Sequence, residues 1–295
     1  MRFMRIRHRR YAFLLACIAP LLLSVPIQSA WAQTRSSRTV AELISDLSQI
    51  DARSPGIDSA GMYEGFIADG TPGRFEEGVL GPRAPHVPYA MRELVRRGPA
   101  ALPELIKHLD DDRPTKLMVG NDPGSHSKRS VGVNLFMFTY FSDEYDPRVR
   151  PPFSEEPWKD GPKPMEKHFE GRYTVKVGDV CFALIGQIVN RRLFAVRYQP
   201  SGGMIVNSPI EAPVLATKVR RDWGSGDAGL LRTSLLSDIR AARGAKLNDE
   251  GWYLMAPAHG AFQRLRLYFP EEYEKLDSRD RQTEVRFKTE FKSND

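Results

Sequence analysis

The sequence is short of several things. It holds two cysteines in 295 residues, Cys17 and Cys181. It has no clean apolar run of the roughly 18 residues that a bilayer-spanning helix requires, because Pro20 and Pro26 interrupt the longest one. H-E-x-x-H and H-x-x-x-H spacings are absent, and His86, His108, His126, His168 and His259 stand singly. No K-T-G triplet and no glycine-rich phosphate loop occurs. These gaps exclude an intrachain disulfide framework, a helical zinc-protease site and a mononucleotide cradle. The fold must therefore rest on its core.

What is present begins with an address. "MRFMRIRHRR" carries five arginines and no acid, "YAFLLACIAPLLL" follows, and the stretch ends in "SAWA". This three-part pattern predicts a secretory signal peptide over residues 1–32, cleaved near Ala32 and followed by a polar linker at 33–38. The product is expected to be exported, periplasmic or extracellular, with no stable membrane span after cleavage. Arg9-Arg10 also partly fits the twin-arginine export signal, so the export route stays open. The formal net charge of +6 includes the five leader arginines, which brings the mature chain close to neutrality. Its basic character thus belongs to the leader and gives no reason to expect a nucleic-acid partner.

Helical signals dominate the remainder. Thr39 and Glu42 form a capping box before Val40, Leu43, Ile44 and Leu47. "ELVRRGPAALPELIKHLDDDRPT", residues 93–115, reads as two apolar-striped helices joined at Gly98-Pro99, with Leu102, Leu105, Ile106 and Leu109 at i, i+3, i+4 and i+7. Further on, Asp179 is expected to cap a helix carrying Val180, Cys181, Leu184, Ile185 and Ile188. Ser208 is expected to cap one carrying Leu215, Val219 and Trp223, its start delayed by Pro213. Leu231, Leu235 and Ile239 mark another helix, and Phe262, Leu265 and Phe269 one more that breaks at Pro270. The helix, tight Gly-Pro turn, "AALPELIKHL" and Asp-rich loop resemble a HEAT-type unit of an α-solenoid, over about residues 88–110 and 178–277 and without a strict period. That resemblance implies binding of other polypeptides along a curved face, and it brings no catalytic residues.

The segment 111–172, rich in proline, glycine and charge, reads as an insertion. Its "VGVNLFMFTYF" is β-prone on both faces, which predicts a buried strand. Expected neighbours are "RYTVKV", "LFAVRY" and the C-terminal "TEVRFKTEF", where Val285, Phe287 and Phe291 alternate with charge. The fold class is therefore mainly α: irregular HEAT-like helical hairpins over 39–280 with a small β-containing insertion, then a charged 281–295 segment read as a strand.

Chemistry is weighed position by position. Ser125 and Lys128 match S-x-x-K, but the serine follows "NDPG" and precedes a strand where the motif needs a helix. Cys181 lies on an apolar stripe and reads as a core residue. The acidic groups Asp110–Asp112 and Asp143, Glu144 and Asp146 lack calcium-loop spacing. No catalytic residue, metal site or cofactor is assigned. The basic and aromatic strip "NRRLFAVRYQPSGG" has an interface-like composition, with Arg191, Arg192, Arg197 and Tyr198 as candidate ligand contacts beside Glu144 and Asp146 of the insertion. Internal ion pairing of the arginines is the competing reading. The expected function is an exported, non-catalytic binding or scaffolding protein of the cell envelope, with a protein or cell-wall polymer as partner. Two alternatives remain: an envelope hydrolase using Glu144, Asp146 and His126, and a purely structural envelope component.

Overall fold

A computed structural model describes residues 38–51, 57, 66–68, 87–120, 138–143, 145, 168–169, 172–198, 203–245 and 249–292. All of these belong to the unit spanning 38–295. The leader at 1–32 lies outside them. No helix among the described residues is long and apolar enough to cross a membrane.

The first helix, α1 (Val40–Asp46), begins as its sequence dictates. Thr39 Oγ1 accepts the Glu42 N–H at 3.2 Å and Glu42 Oε2 accepts the Thr39 N–H at 2.5 Å. Leu43, Ile44 and Leu47, the last in a following 3₁₀ turn, are fully buried. The helix α2 (Tyr89–Arg97) stops at Gly98, whose φ of +52° disfavours any side chain. A Cβ there would also fall inside the Tyr268 ring. After a 3₁₀ turn through Pro99, α3 (Leu102–Lys107) follows, and a second 3₁₀ turn closes at Asp110.

The strands come next. The strand β1 (Pro114–Gly120) pairs antiparallel with β4 (Arg172–Lys176) in a two-stranded ribbon. Between them lie β2 (Phe138–Phe141) and the short β3 (His168–Phe169). The strand β4 runs without a loop into α4 (Val177–Val189), in which every residue is buried. Sequence spacing predicts an apolar stripe on this helix; the structure buries it all round, because α2, α3, α6 and β4 each cover a part of it. Its first N–H groups find carbonyls in the acidic turn: Val177 donates to Arg113 O at 2.9 Å and Gly178 to Asp111 O at 2.8 Å. The approach is close enough that a Cβ on Gly178 would press on Leu109 O.

After β5 (Val196–Tyr198) and β6 (Gly203–Val206), the chain is helical to its described end: α5 (Pro213–Trp223), α6 (Ala228–Ala241), α7 (Asp249–Tyr268), α8 (Pro270–Glu274) and α9 (Ser278–Lys292). As expected, Pro213 delays its helix. Ser208, expected as the cap of this helix, instead accepts the Ile210 and Glu211 N–H groups in a preceding turn; the α-helix starts at Pro213 itself, with Ala212 at its N-cap and no side-chain cap. Leu231, Leu235 and Ile239 of α6 are fully buried, and α6 packs along α7.

The architecture is mainly α with a small β component. Three further expectations need correction. The C-terminal "TEVRFKTEF" is helical, as part of α9. Its inward positions are Asp280, Thr283, Glu284 and Phe287, a helical spacing that a search for alternating apolar residues overlooks. Asp179 sits three residues into α4, where its side chain reaches back to the Lys176 N–H at 2.7 Å. "RYTVKV" pairs with β1 rather than with the insertion's β2.

Candidate functional site

The sheet runs β3-β2-β6-β5. The strand β2 lies parallel to β6, from Phe138 opposite Gly203 to Phe141 opposite Val206, and β5 lies antiparallel on the other side of β6, with Val196 opposite Val206 and Tyr198 opposite Met204. The insertion and the arginine strip, separated in the chain by the whole of α4, thus become parts of one sheet. Two contacts tie the exit of β2 to α5. Lys218 Nζ donates to Asp143 O at 3.0 Å, and Tyr145 Oη donates to Asp222 Oδ2 at 2.8 Å.

The strip departs from α4 at Asn190, whose φ of 60° and ψ of 46° form a left-handed cap of the kind asparagine tolerates. Its Nδ2 donates to Asp238 Oδ2 and to Pro257 O, both at 2.9 Å. Arg191 turns inward. Its side chain, 8% exposed, donates to Asp238 Oδ2 at 2.7 Å and to Ser234 Oγ, and its guanidinium lies 5.9 Å from the Trp223 ring centroid. This residue anchors the turn to α6. Arg192, next in sequence, is exposed, and Arg197 is half-buried on β5. The backbone of Tyr198 belongs to β5, and its side chain lies outside the described residues. Glu144, Asp146, Ser125, His126 and Lys128 also lie outside them. The structure therefore unites the three arginines in one segment and gives them different surroundings.

Where β6 ends, a second polar group was missed by sequence reasoning. Tyr173 Oη of β4 lies 2.7 Å from Asp179 Oδ2 and 3.0 Å from Ser208 Oγ. One arrangement satisfies both contacts: Ser208 donates to Tyr173, which donates to Asp179. Asp179 is fully buried and its Oδ1 has no hydrogen-bond partner. Burial pushes its pKa up to about 6 against the help of its hydrogen bonds, and the Tyr173 hydroxyl is raised as well, by burial and by the neighbouring carboxyl. This Ser-Tyr-Asp junction locks β4, α4 and the turn after β6 together. Cys181, one helical position pair further on, is fully buried and its thiol is pushed up by burial, the condition of an inert core thiol.

The acidic turn at 110–113 is bound internally. Asp111 accepts Arg113 Nε and Nη2 and lies 3.0 Å from His108 Nδ1, which together hold its pKa down at about 2; Asp110 pairs with Arg220. A signal for the Arg191–Asp238 pair was not readable, since 47 residues separate the partners. No protein-family model, curated protein or solved structure matches the chain.

Proposed function

We propose that this chain is an exported, non-catalytic binding or scaffolding protein of the cell envelope, built on irregular HEAT-like hairpins. Its ligand side is the turn from Asn190 to Tyr198, which ends in β5 at the edge of the sheet β3-β2-β6-β5. One observation carries the reading: the parallel pairing of β2 with β6 joins the insertion to the arginine strip in a single sheet, whose described apolar side chains are buried and support the half-buried Arg197 on its edge strand. Two further features support it. Arg191 is anchored to Asp238, which holds the turn rigid while Arg192 faces water, and a preorganised turn loses less freedom on binding. The most strongly shifted acid, Asp179, is sealed inside and occupied in holding elements together. The partner expected for such a face is a polypeptide or an anionic wall polymer, since arginine pairs well with carboxylates and phosphates.

The test is cosedimentation of the purified chain with isolated cell-wall material, alongside crosslinking in intact cells. The double variant Arg192→Ala, Arg197→Ala is expected to lose retention several-fold with unchanged helical circular dichroism. A wild-type chain that is neither retained nor crosslinked to a discrete partner would overturn the reading. Turnover of wall material that is lost in Glu144→Gln or Asp146→Asn would replace it with a hydrolase.

A further inference from the structure

The helix α9 meets the rest of the molecule through one face, formed by Asp280, Thr283, Glu284 and Phe287, each at most 5% exposed. Among its described side chains Phe287 is the only buried apolar one; Val285 points outward. The Phe287 ring stacks on the His259 imidazole of α7 with centroids 4.1 Å apart and planes 12° from parallel. Ion pairs flank this stack. Arg243, just beyond α6, donates to Asp280 Oδ1 and to Asp277 Oδ2, both at 2.7 Å. Arg266 of α7 pairs with Glu284, which also accepts Tyr273 Oη at 2.9 Å and Lys288 Nζ at 2.8 Å.

A helix docked by the hydrophobic effect presents a broad apolar stripe. Among the described side chains of α9 that stripe holds two carboxylates, a threonine and one phenylalanine, so undocking this part exposes little hydrocarbon of the helix itself, and the freed ions regain water. The basic partners are themselves open to solvent, with 31% of the Arg243 side chain and 48% of the Arg266 side chain exposed, whereas Asp280 and Glu284 are 4% and 6% exposed, so dissolved salt acts on each pair from its cation side. Residues 275–277 connect α8 to α9, and Asp277 there accepts the Arg279 and Asp280 N–H groups at the start of α9. We infer that α9 is a releasable strap over α6 and α7, closed by the Arg243–Asp280 and Arg266–Glu284 pairs and opened by rising ionic strength while the α4 core stays folded.

Native-state trypsin digestion of the full chain tests this, because α9 supplies its own cleavage sites at Arg279, Arg281, Arg286 and Lys288. Protease activity at each salt concentration is normalised on an unfolded peptide. Cleavage within α9 is expected to accelerate on the order of tenfold between low salt and roughly 1 M, with sites on α6 such as Arg232 and Arg240 intact over the same time. Glu284→Gln and Asp280→Asn are each expected to raise low-salt cleavage and flatten the salt dependence. Cleavage of α9 that ignores salt, or that rises only together with cleavage in α6, overturns the strap. The wild-type salt series decides the matter even where a variant misfolds.

Discussion

Helices α4 and α9 share a fold but not a means of attachment. Along α4 every side chain from Val177 to Val189 is buried, and all but a few are apolar. Along α9 the buried face, among the described side chains, holds two carboxylates, a threonine and one phenylalanine. Burying a large apolar side chain stabilises by about 1.5–3 kcal/mol, whereas the attraction in an ion pair with a buried carboxylate is largely offset by the cost of taking that carboxylate out of water. The centre should therefore be insensitive to salt and intolerant of truncation, and the end of the chain the reverse.

The largest expected effect comes from α4. Phe182→Ala should cost about 3–5 kcal/mol, read as a lower urea midpoint for the whole chain. A result below 1 kcal/mol would mean that α4 is not the centre of the cooperative unit.

Acidity should separate the α4 centre from the α7–α9 contact by sign. Asp179 is faced by Tyr173, the Lys176 N–H and Glu211, and its folded pKa of about 6 lies above the ordinary 3.8. The folded state therefore binds the proton more tightly, so this contribution is complete below about pH 4 and is lost as pH rises through 6. Its size is about 3 kcal/mol. Asp179→Asn should flatten that slope. His259 behaves oppositely: burial, with Lys288, Arg264 and Arg266 nearby, outweighs Glu284 and holds its folded pKa at about 4. The stability from its neutral stack on Phe287 is complete above about pH 6.5 and is lost as pH falls toward 4. Urea titrations at several pH values, with His259→Phe as the second variant, check both signs.

Smaller effects lie on the strip. Arg191→Ala leaves Asp238 without its cation and should cost about 2 kcal/mol, with Arg191→Lys failing to restore it because the fork to Asp238 and Ser234 needs a guanidinium. Arg192→Ala should move stability by no more than about 0.5 kcal/mol while reducing wall retention. Equal thermal shifts for the two would erase the distinction between anchor and contact.

Much of the helical scaffold was legible because it is written in local spacing. The Thr39–Glu42 box, the Gly98 joint and the Leu231–Leu235–Ile239 stripe require no knowledge of distant residues. Where sequence reasoning missed, the deciding partner was remote or the pattern was polar. The β4–α4 transition has no loop, so Asp179 was placed at the cap instead of one turn inside. Val285 and Phe287 suggest alternation because, among the described side chains, the inward stripe of α9 is Asp280, Thr283, Glu284 and Phe287, which is mostly polar. On the candidate surface, the arginine strip was visible as composition. That Arg191 would be taken by Asp238, and that β6 would join the strip to the insertion, depends on tertiary pairing.

Hydrogen exchange of the intact chain, followed helix by helix under one set of native conditions, tests the central contrast most directly. Amides of α4 are expected to open only with global unfolding, and those of α9 through a separate event of lower free energy. If α4 and α9 exchange together at the same free energy, the chain has one uniformly cooperative body and the contrast is contradicted.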